Sequence, residues 1–456
     1  MSASVAVAVA AEYSGADFSN DHWWVPLLKG VFIMVLVLTS VIMAIWFERK
    51  VVAKMQLRPG PNVHGPAGLL QSTADAIKLL VKEDISVRAA DKLVYLVAPV
   101  IAVFASFLTL AVVPMAGEVS VFGFRTPLQM TDFPVAVLYI LACTSVGVYG
   151  MVLGGWSSGS TYPLLGAVRS TAQVISYELA MGLSLVSVFV LAGSMSTSQI
   201  VEAQYREQWF VAALPLAFIL YVVSMVGEVN RLPFDLPEAE GELVAGYMTE
   251  YSAMKFAWFY LAEYINMLNV SAVATTLFLG GWHTPLPLNY LGVPDSGYWG
   301  LLWFLLKVWT IMFFFVWVRG TLLRFRYDQF MNLGWKVLIP TALAWLFGVT
   351  AIRAIDEFTD VDSRLMLLVL AGVLLLFAAA AFLVPEKQAP PPEPDTEFDP
   401  YADGYPVPPM PGQTLPPSPR RLRAMAAAGA GYGPSDAAPS DAAPSDAAQT
   451  EETDRD

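Results

Sequence analysis

The sequence predicts an all-α integral membrane protein of about nine transmembrane helices, with an amphipathic interfacial helix and a disordered C-terminal tail. Three observations carry this. Of 456 residues, 56% are hydrophobic and only 14% charged, against about 25% charged in an ordinary soluble domain. The apolar residues gather in runs of about 20, the length a helix needs to cross a bilayer. Lys and Arg concentrate in alternate connections between those runs.

The runs fall at about 26–47, 93–115, 133–154, 172–193, 209–227, 253–280, 299–319, 335–352 and 365–384. The connection after the first carries Arg49, Lys50, Lys54, Arg58, Lys78, Lys82, Arg88 and Lys92. The one after the seventh carries Arg319, Arg324, Arg326 and Lys336, whereas Gly281 to Gly300 carries neither Lys nor Arg. Basic connections stay in the cytoplasm, so the N-terminus is expected outside and the C-terminus inside. Trp23, Trp24, Trp209 and Trp299 stand at span starts, as interfacial aromatic belts do. The expected organisation is an extra-membrane segment 1–25, a core of eight spans over 26–352, a ninth span within 353–384 and a cytoplasmic tail 385–456.

The tail is rich in Pro and Ala and carries three copies of Pro-Ser-Asp-Ala-Ala near its end. Such composition cannot bury a core. Much of the net charge of −13 lies in the two ends, so it says little about the membrane body. The N-terminus lacks the basic start of a cleavable signal peptide. The first span is expected to act as its own insertion signal.

Cysteine and histidine usage narrows the chemistry. There is one cysteine, Cys143, and three histidines, His22, His64 and His283. No CxxC and no histidine pair at ligand spacing occurs. The chain by itself offers no ligand set for an iron–sulfur cluster, and a bis-histidine haem is disfavoured. Cys143 is expected to be a small buried apolar residue. No metal site and no catalytic residue is expected.

The first basic connection begins Glu48-Arg49-Lys50 and continues Gln56-Leu57-Arg58-Pro59-Gly60-Pro61. Pro and Gly at that density force a bent segment at the membrane surface. From Gly68 to Glu83, Leu70, Ala74, Ile77 and Val81 recur at helical spacing, while Gln71, Asp75, Lys78 and Lys82 repeat the rhythm on a neighbouring face. A helix of this kind lies in the interface plane. Either it is a plain anchor, or Asp75, a carboxylate among lysines, faces a cavity.

The connection after the fifth run carries Glu228, Arg231, Phe234, Asp235, Glu238, Glu240, Glu242 and then Glu250. Acids on such a loop are either simply solvated or, given the interleaved Pro, Phe and Leu, partly buried. Crowding and desolvation both disfavour ionisation, so a buried set could exchange protons near neutral pH. Within the spans stand Glu178, Glu263 and Lys307. An ionisable group in hydrocarbon costs roughly 2.5–3.5 kcal/mol on insertion scales and should face protein or water. Asn266 and Asn269 extend Glu263 into a polar stripe, fit either for a proton path or for interhelical hydrogen bonding. Glu178 and Lys307 could form an internal pair.

Four blocks carry a resemblance: ERKVVAKMQLRPGPNVHGPAGLLQSTADAIKLLVKED (48–84), YPLLGAVRSTAQVISYELA (162–180), GEVNRLPFDLPEAEGELVAGYMTEY (227–251) and RGTLLRFRYDQFMNLGWK (319–336). Over about residues 25–352 the chain resembles the H-type membrane subunit of bacterial NADH-quinone oxidoreductase, the part of complex I that stands at the quinone site. The resemblance implies a multi-pass protein of the bacterial inner membrane in a respiratory complex. Quinone would be its substrate, either menaquinone or ubiquinone. Flavin and iron–sulfur clusters would reside in partner subunits. Other complex I subunits and membrane lipid would be its partners, with no nucleic acid. Matched by position, Gln56, Arg58, Asp75, Arg231, Phe234 and Asp235 are implied for the quinone chamber. Glu178, Glu228, Glu238, Glu240, Glu242 and Glu263 are implied for proton coupling. Glu48, Arg49, Arg169, Glu250 and Lys307 are further candidate charges.

Two rival readings remain at this point. One is the equivalent subunit of a membrane-bound hydrogenase-type complex, which would accompany a nickel subunit. The other is a stand-alone ion-coupled transporter, for which an internal repeat would be the signature. No repeat is evident.

Overall fold

The computed structural model describes residues 16–19, 21–121, 123–206, 208–236, 240–285, 288, 294, 297–356 and 363–383. Most of the expected N-terminal segment and all of the expected disordered tail fall outside the described residues.

A helix lies over each expected span. They are α1 Trp24–Met55, α3 Lys92–Val112, α4 Ala136–Ser157, α5 Thr161–Ala192, α7 Pro215–Glu228, α8 Ala253–Phe278, α9 Tyr298–Thr321, α10 Tyr327–Asp356 and α11 Ser363–Leu383. Two shorter helices join them, α2 Gln71–Val81 and α6 Thr197–Arg206. Among the described residues, six helices are long and apolar enough to cross a membrane: α1, α3, α4, α5, α9 and α10.

The departures from that rule have physical causes. Pro215 has no backbone N–H to offer the preceding turn, so the segment breaks into one turn at Phe210–Ala213 and the 14-residue α7. Helix α8 carries Glu263, Asn266 and Asn269, and from Ile265 to Phe278 nearly every residue but Asn266 is buried. A helix walled by protein has no need of an apolar face all round. Helix α5 begins well before the expected edge near 172, because Thr161 to Thr171 continues the helix as an extension carrying Arg169.

The helices approach closely where glycine permits. A Cβ on Gly150 of α4 would stand 2.9 Å from the Ala102 side chain and the Ala98 carbonyl of α3. A Cβ on Gly166 of α5 would meet Gly246 Cα at 2.7 Å. The core joins α5, α7, α8 and α10 around Tyr177, Tyr221, Tyr264, Phe278 and Trp345, each under 2% exposed.

The expected all-α class needs one correction. Residues Ala116–Val121 (β1) and Phe124–Leu128 (β2) pair antiparallel, with Val119 opposite Thr126 and Val121 opposite Phe124. The alternation Glu118-Val119-Ser120-Val121 suits a half-buried strand, and Gly123 supplies a left-handed φ of 91° at the turn. The Tyr298 hydroxyl donates to the Ser120 carbonyl at 2.9 Å, tying the hairpin to the start of α9.

Candidate functional site

At one end of the bundle, four charged side chains from four segments converge. Glu48 of α1 is 6% exposed. It accepts a hydrogen bond from the Tyr264 hydroxyl at 2.6 Å and pairs with Arg319 of α9. Arg231, in the loop after α7, places one terminal nitrogen 3.7 Å from Glu48 and its Nε 3.1 Å from Glu263 of α8. Its guanidinium lies 4.4 Å from the centre of the Tyr264 ring. The Tyr260 and Tyr264 hydroxyls are 3.1 Å apart. Two carboxylates thus balance two guanidinium groups. Mutual pairing is what makes burial of such charges tolerable, since each alone would carry a desolvation penalty of several kcal/mol.

The network borders a cavity of about 660 Å³ lined by Glu48, Arg49, Gln56, Arg58, Tyr260 and Arg319, with Val52, Leu232 and the Pro59–Pro61 turn completing its wall. Gln56 and Arg58 are exposed there, and Arg58 Nε donates to Gln56 Oε1 at 2.8 Å. Arg49 pairs with Asp75 at 2.5 Å, and Gln71 donates to the same carboxylate at 3.0 Å. Burial opposes ionisation of Asp75. The Arg49 and Gln71 hydrogen bonds and the charges of Arg49 and Lys78 outweigh it and hold the carboxyl below the usual range.

On its inner side the network continues into the bundle. Glu263 and Glu228 both line a small cavity of about 30 Å³, together with Asn230, Asn266 and Met151. That volume has room for water, and the lining supplies polar partners for it. Glu228 in turn lies within reach of the charge of Glu178. Glu178 accepts from the Ser145 hydroxyl on α4. Asn269 donates to the Ser106 carbonyl at 2.8 Å, so the far end of the polar stripe fixes α8 to α3.

The loop carrying Arg231 is fixed from below. Gln173 of α5, fully buried, donates to the Gly227 carbonyl at 2.7 Å and to the Phe234 carbonyl at 2.8 Å. Phe234 packs its ring among Tyr177, Phe325 and Phe330 at centroid distances of 5.6, 5.5 and 4.8 Å. Gly227 sits against the Tyr177 ring, where a Cβ would approach to 2.6 Å.

The remaining candidate residues scatter. Phe234 is 5% exposed and serves the aromatic core rather than the wall of either cavity. Asp235 is half-buried beside it. Glu242 pairs with Arg169, whose guanidinium lies 5.7 Å from the Tyr327 ring centre. The Arg169 hydrogen bond, with the charges of Arg169, Arg324 and Arg326 behind it, holds the Glu242 carboxyl below the usual range against a modest burial effect. Glu250 is half-buried, and its backbone carbonyl accepts from the Tyr95 hydroxyl at 2.6 Å. Glu238 and the Glu240 side chain lie outside the described residues. Glu178 and Lys307, which the sequence left open as an internal pair, do not meet: Glu178 is bonded by Ser145. Lys307 donates instead to the carbonyls of Leu279, Gly281 and His283 at 2.6, 2.9 and 2.7 Å, in the turn that follows α8 and runs through the positive-φ Gly280 and Gly281.

Sequence reasoning does not single out Tyr264, Tyr260, Arg319 or Gln173 as site residues. Arg319 enters it only as an orienting charge. Tyr264 stands next to Glu263, and its polar tip on an otherwise apolar helix is the available signal.

Fold and site together define a multi-pass α-helical membrane protein in which a buried charge network opens on a cavity at one end of the bundle. The NADH dehydrogenase family model matches residues 28–350. The H-type subunit of NADH-quinone oxidoreductase from Streptomyces avermitilis is 54% identical over 413 residues, covering 89% of this chain and 91% of that protein. The chain belongs to the NADH dehydrogenase family.

Proposed function

We propose that the chain is the membrane subunit of a proton-pumping NADH-quinone oxidoreductase that forms the membrane-side wall of a quinone chamber and couples quinone reduction to proton translocation. Two electrons, delivered from NADH through flavin and iron–sulfur clusters in partner subunits, and two protons convert a quinone to a quinol. The cavity beside Gln56, Arg58, Glu48 and Arg319 is the side of the chamber that this chain contributes. Its guanidinium and amide groups are donors suited to quinone oxygens. Arg231 sits one layer behind that wall, Asp75 anchors Arg49 within it, and Phe234 and Asp235 shape the loop that presents Arg231. Nine crossings of the bacterial inner membrane, with the N-terminus outside, bring this end to the cytoplasmic face. The Arg169–Glu242 pair and Glu250 stand toward the hydrophilic-arm partners, and Glu238 and Glu240 are proposed for the same coupling role from the sequence.

The observation that carries this reading is the series of carboxylates leading inward from the cavity. Glu48 and Glu263 share Arg231, Glu263 and Glu228 share a small polar cavity, and Glu178 acts on Glu228 by its charge. A change of charge at the cavity therefore alters the protonation of the whole series, and the carboxylates titrate as a group rather than singly.

The test is a mild-detergent pull-down through a tag on the C-terminal tail, assayed for NADH-dependent quinone reduction and, in vesicles, for proton pumping. A flavin and iron–sulfur assembly with both activities is the expected result. In that assembly Glu263→Gln and Glu228→Gln should lower both activities together while the subunits still co-purify. Persistence of both at wild-type rates removes the carboxylate series from the mechanism. A co-purifying nickel subunit replaces NADH dehydrogenase partners with hydrogenase ones.

A further inference from the structure

Helix α2 is amphipathic with its polar side turned inward. Ser72 is its one buried residue, and Gln71 and Asp75 are half-buried toward Arg49. Ile77, Leu80 and Val81 point away from the protein at 56, 62 and 82% exposure. Beyond Leu80 the outward face continues into a groove of about 250 Å³ between the end of α2 and the beginnings of α3 and α8. Leu80, Leu96, Met254 and Trp258 form its apolar wall, and Lys82, Lys255 and Asp84 its rim. Asp84 is engaged by Lys255 at 2.8 Å, and that ammonium also lies 5.0 Å from the Tyr95 ring centre. Lys82 is exposed and has no side-chain partner among the described residues. Lys78 on α2 and Lys92 at the start of α3 are exposed as well.

We infer that this groove is a binding site for an anionic phospholipid of the surrounding bilayer, with an acyl chain along Leu80, Leu96, Met254 and Trp258 and the phosphate at Lys82. The occupant follows from the chemistry of the two ends. An apolar trough at the edge of membrane-crossing helices accommodates a hydrocarbon chain without loss, because both its native and its bound surroundings are apolar. Its rim pairs Lys255 with Asp84, and Lys82, which precedes the exposed Glu83, is the ammonium left to meet an anionic headgroup. The exposed lysines follow the apolar residues of α2 by one position, as snorkelling side chains at an interface do.

The consequence reaches the cavity. A chain held against Leu80 presses on the same short helix whose other face carries Asp75, paired with Arg49 in the cavity wall. The lipid thereby fixes the position of α2 and, on the functional reading above, the shape of the quinone chamber. The binding site itself does not depend on that reading.

The test counts bound lipid, so it is separate from turnover. Detergent-purified wild-type assembly is incubated with vesicles of isotope-labelled phosphatidylglycerol mixed into unlabelled phosphatidylcholine, repurified, and its retained lipid measured by mass spectrometry. The wild type should retain phosphatidylglycerol in preference. Lys82→Glu should weaken that preference by at least about fivefold, the gain of roughly one basic side chain near an anionic surface. Leu96→Trp, which fills the trough, should reduce retention of both lipids at this site. Both positions are exposed, so neither change threatens folding. Equal phosphatidylglycerol retention by wild type and both variants overturns the site. Loss in Leu96→Trp alone overturns the anionic assignment. A photo-crosslinker placed at Leu96 that captures a protein neighbour instead of lipid shows that a partner helix covers the groove, and also overturns it.

Discussion

Arg231 holds Glu263 at 3.1 Å through its Nε while a terminal nitrogen stands 3.7 Å from Glu48, so one guanidinium bridges α8 and α1, which the Tyr264 hydroxyl also joins by donating to Glu48. Arg231→Met should leave two buried carboxylates with Arg319 as their remaining counter-charge. Removing one partner of a buried charge set costs about 3–5 kcal/mol. Thermal melts of the purified assembly should show the loss, and Arg231→Met with Glu263→Gln should recover part of it. A double variant no more stable than the single one would mean that Glu263 does not depend on Arg231.

Gln173 offers a cleaner separation of support from chemistry. Gln173→Leu keeps the volume but withdraws two donors from buried carbonyls. Each unsatisfied group costs about 1–3 kcal/mol. The loop at 228–236 should loosen, seen as faster proteolysis or hydrogen exchange there, and quinone reduction should fall with it. Normal loop protection in this variant would remove Gln173 from the support of Arg231.

Asp75 allows a pH argument with a definite sign. Its folded carboxyl titrates below the usual value of 3.8, so the stabilisation from Arg49 is present above that range. It disappears only as pH falls through the depressed value. Between about pH 6 and 8 the Asp75 carboxylate stays ionised. The ratio of wild-type to Asp75→Asn quinone reduction should therefore stay flat across that window. Arg49 and Asp75 side chains are 44% and 30% exposed, so raising salt should narrow the difference between the two proteins by screening. A ratio that bends near neutral pH would reassign the titrating group to Asp75.

Lys307 is held by three carbonyls at the end of α8 and lies 4.4 Å from the Trp209 ring centre. Lys307→Met removes the common donor and leaves those carbonyls competing for backbone partners. The expected outcome is a destabilised assembly with reduced yield, with the loss larger than in Gln173→Leu because the lost bonds are charge-assisted. Wild-type melting and yield would show that the cage contributes nothing to stability.

The helical plan is largely legible in the sequence because hydrocarbon imposes one rule on every lipid-facing residue. The exceptions are instructive. Helix α8 is screened by its neighbours and no longer obeys that rule, so its polar stripe could equally have meant a channel or a brace; Glu263 serves the network and Asn269 the brace. The β-hairpin escapes a reading by periodicity because its alternation lasts too few residues to stand out beside long apolar runs. Glu48, Arg231 and Glu263 can each be picked out as unusual, but their convergence depends on contacts between residues as distant as Glu48 and Tyr264, which no local spacing records. Phe234 stands among charged neighbours in the sequence, yet its ring obeys the aromatic core.

The four-charge cluster has a consequence for biogenesis. Glu48, Arg231, Glu263 and Arg319 come from the first and the later parts of the chain, and they neutralise one another only when α1, α8 and α9 have all entered with the right polarity. A single helix threaded backwards would strand its charge at the opposite membrane face and leave an arginine or a glutamate unmatched among the others. The cluster thus ties the polarity of these segments together: an error in one leaves an electrostatic defect shared by the others.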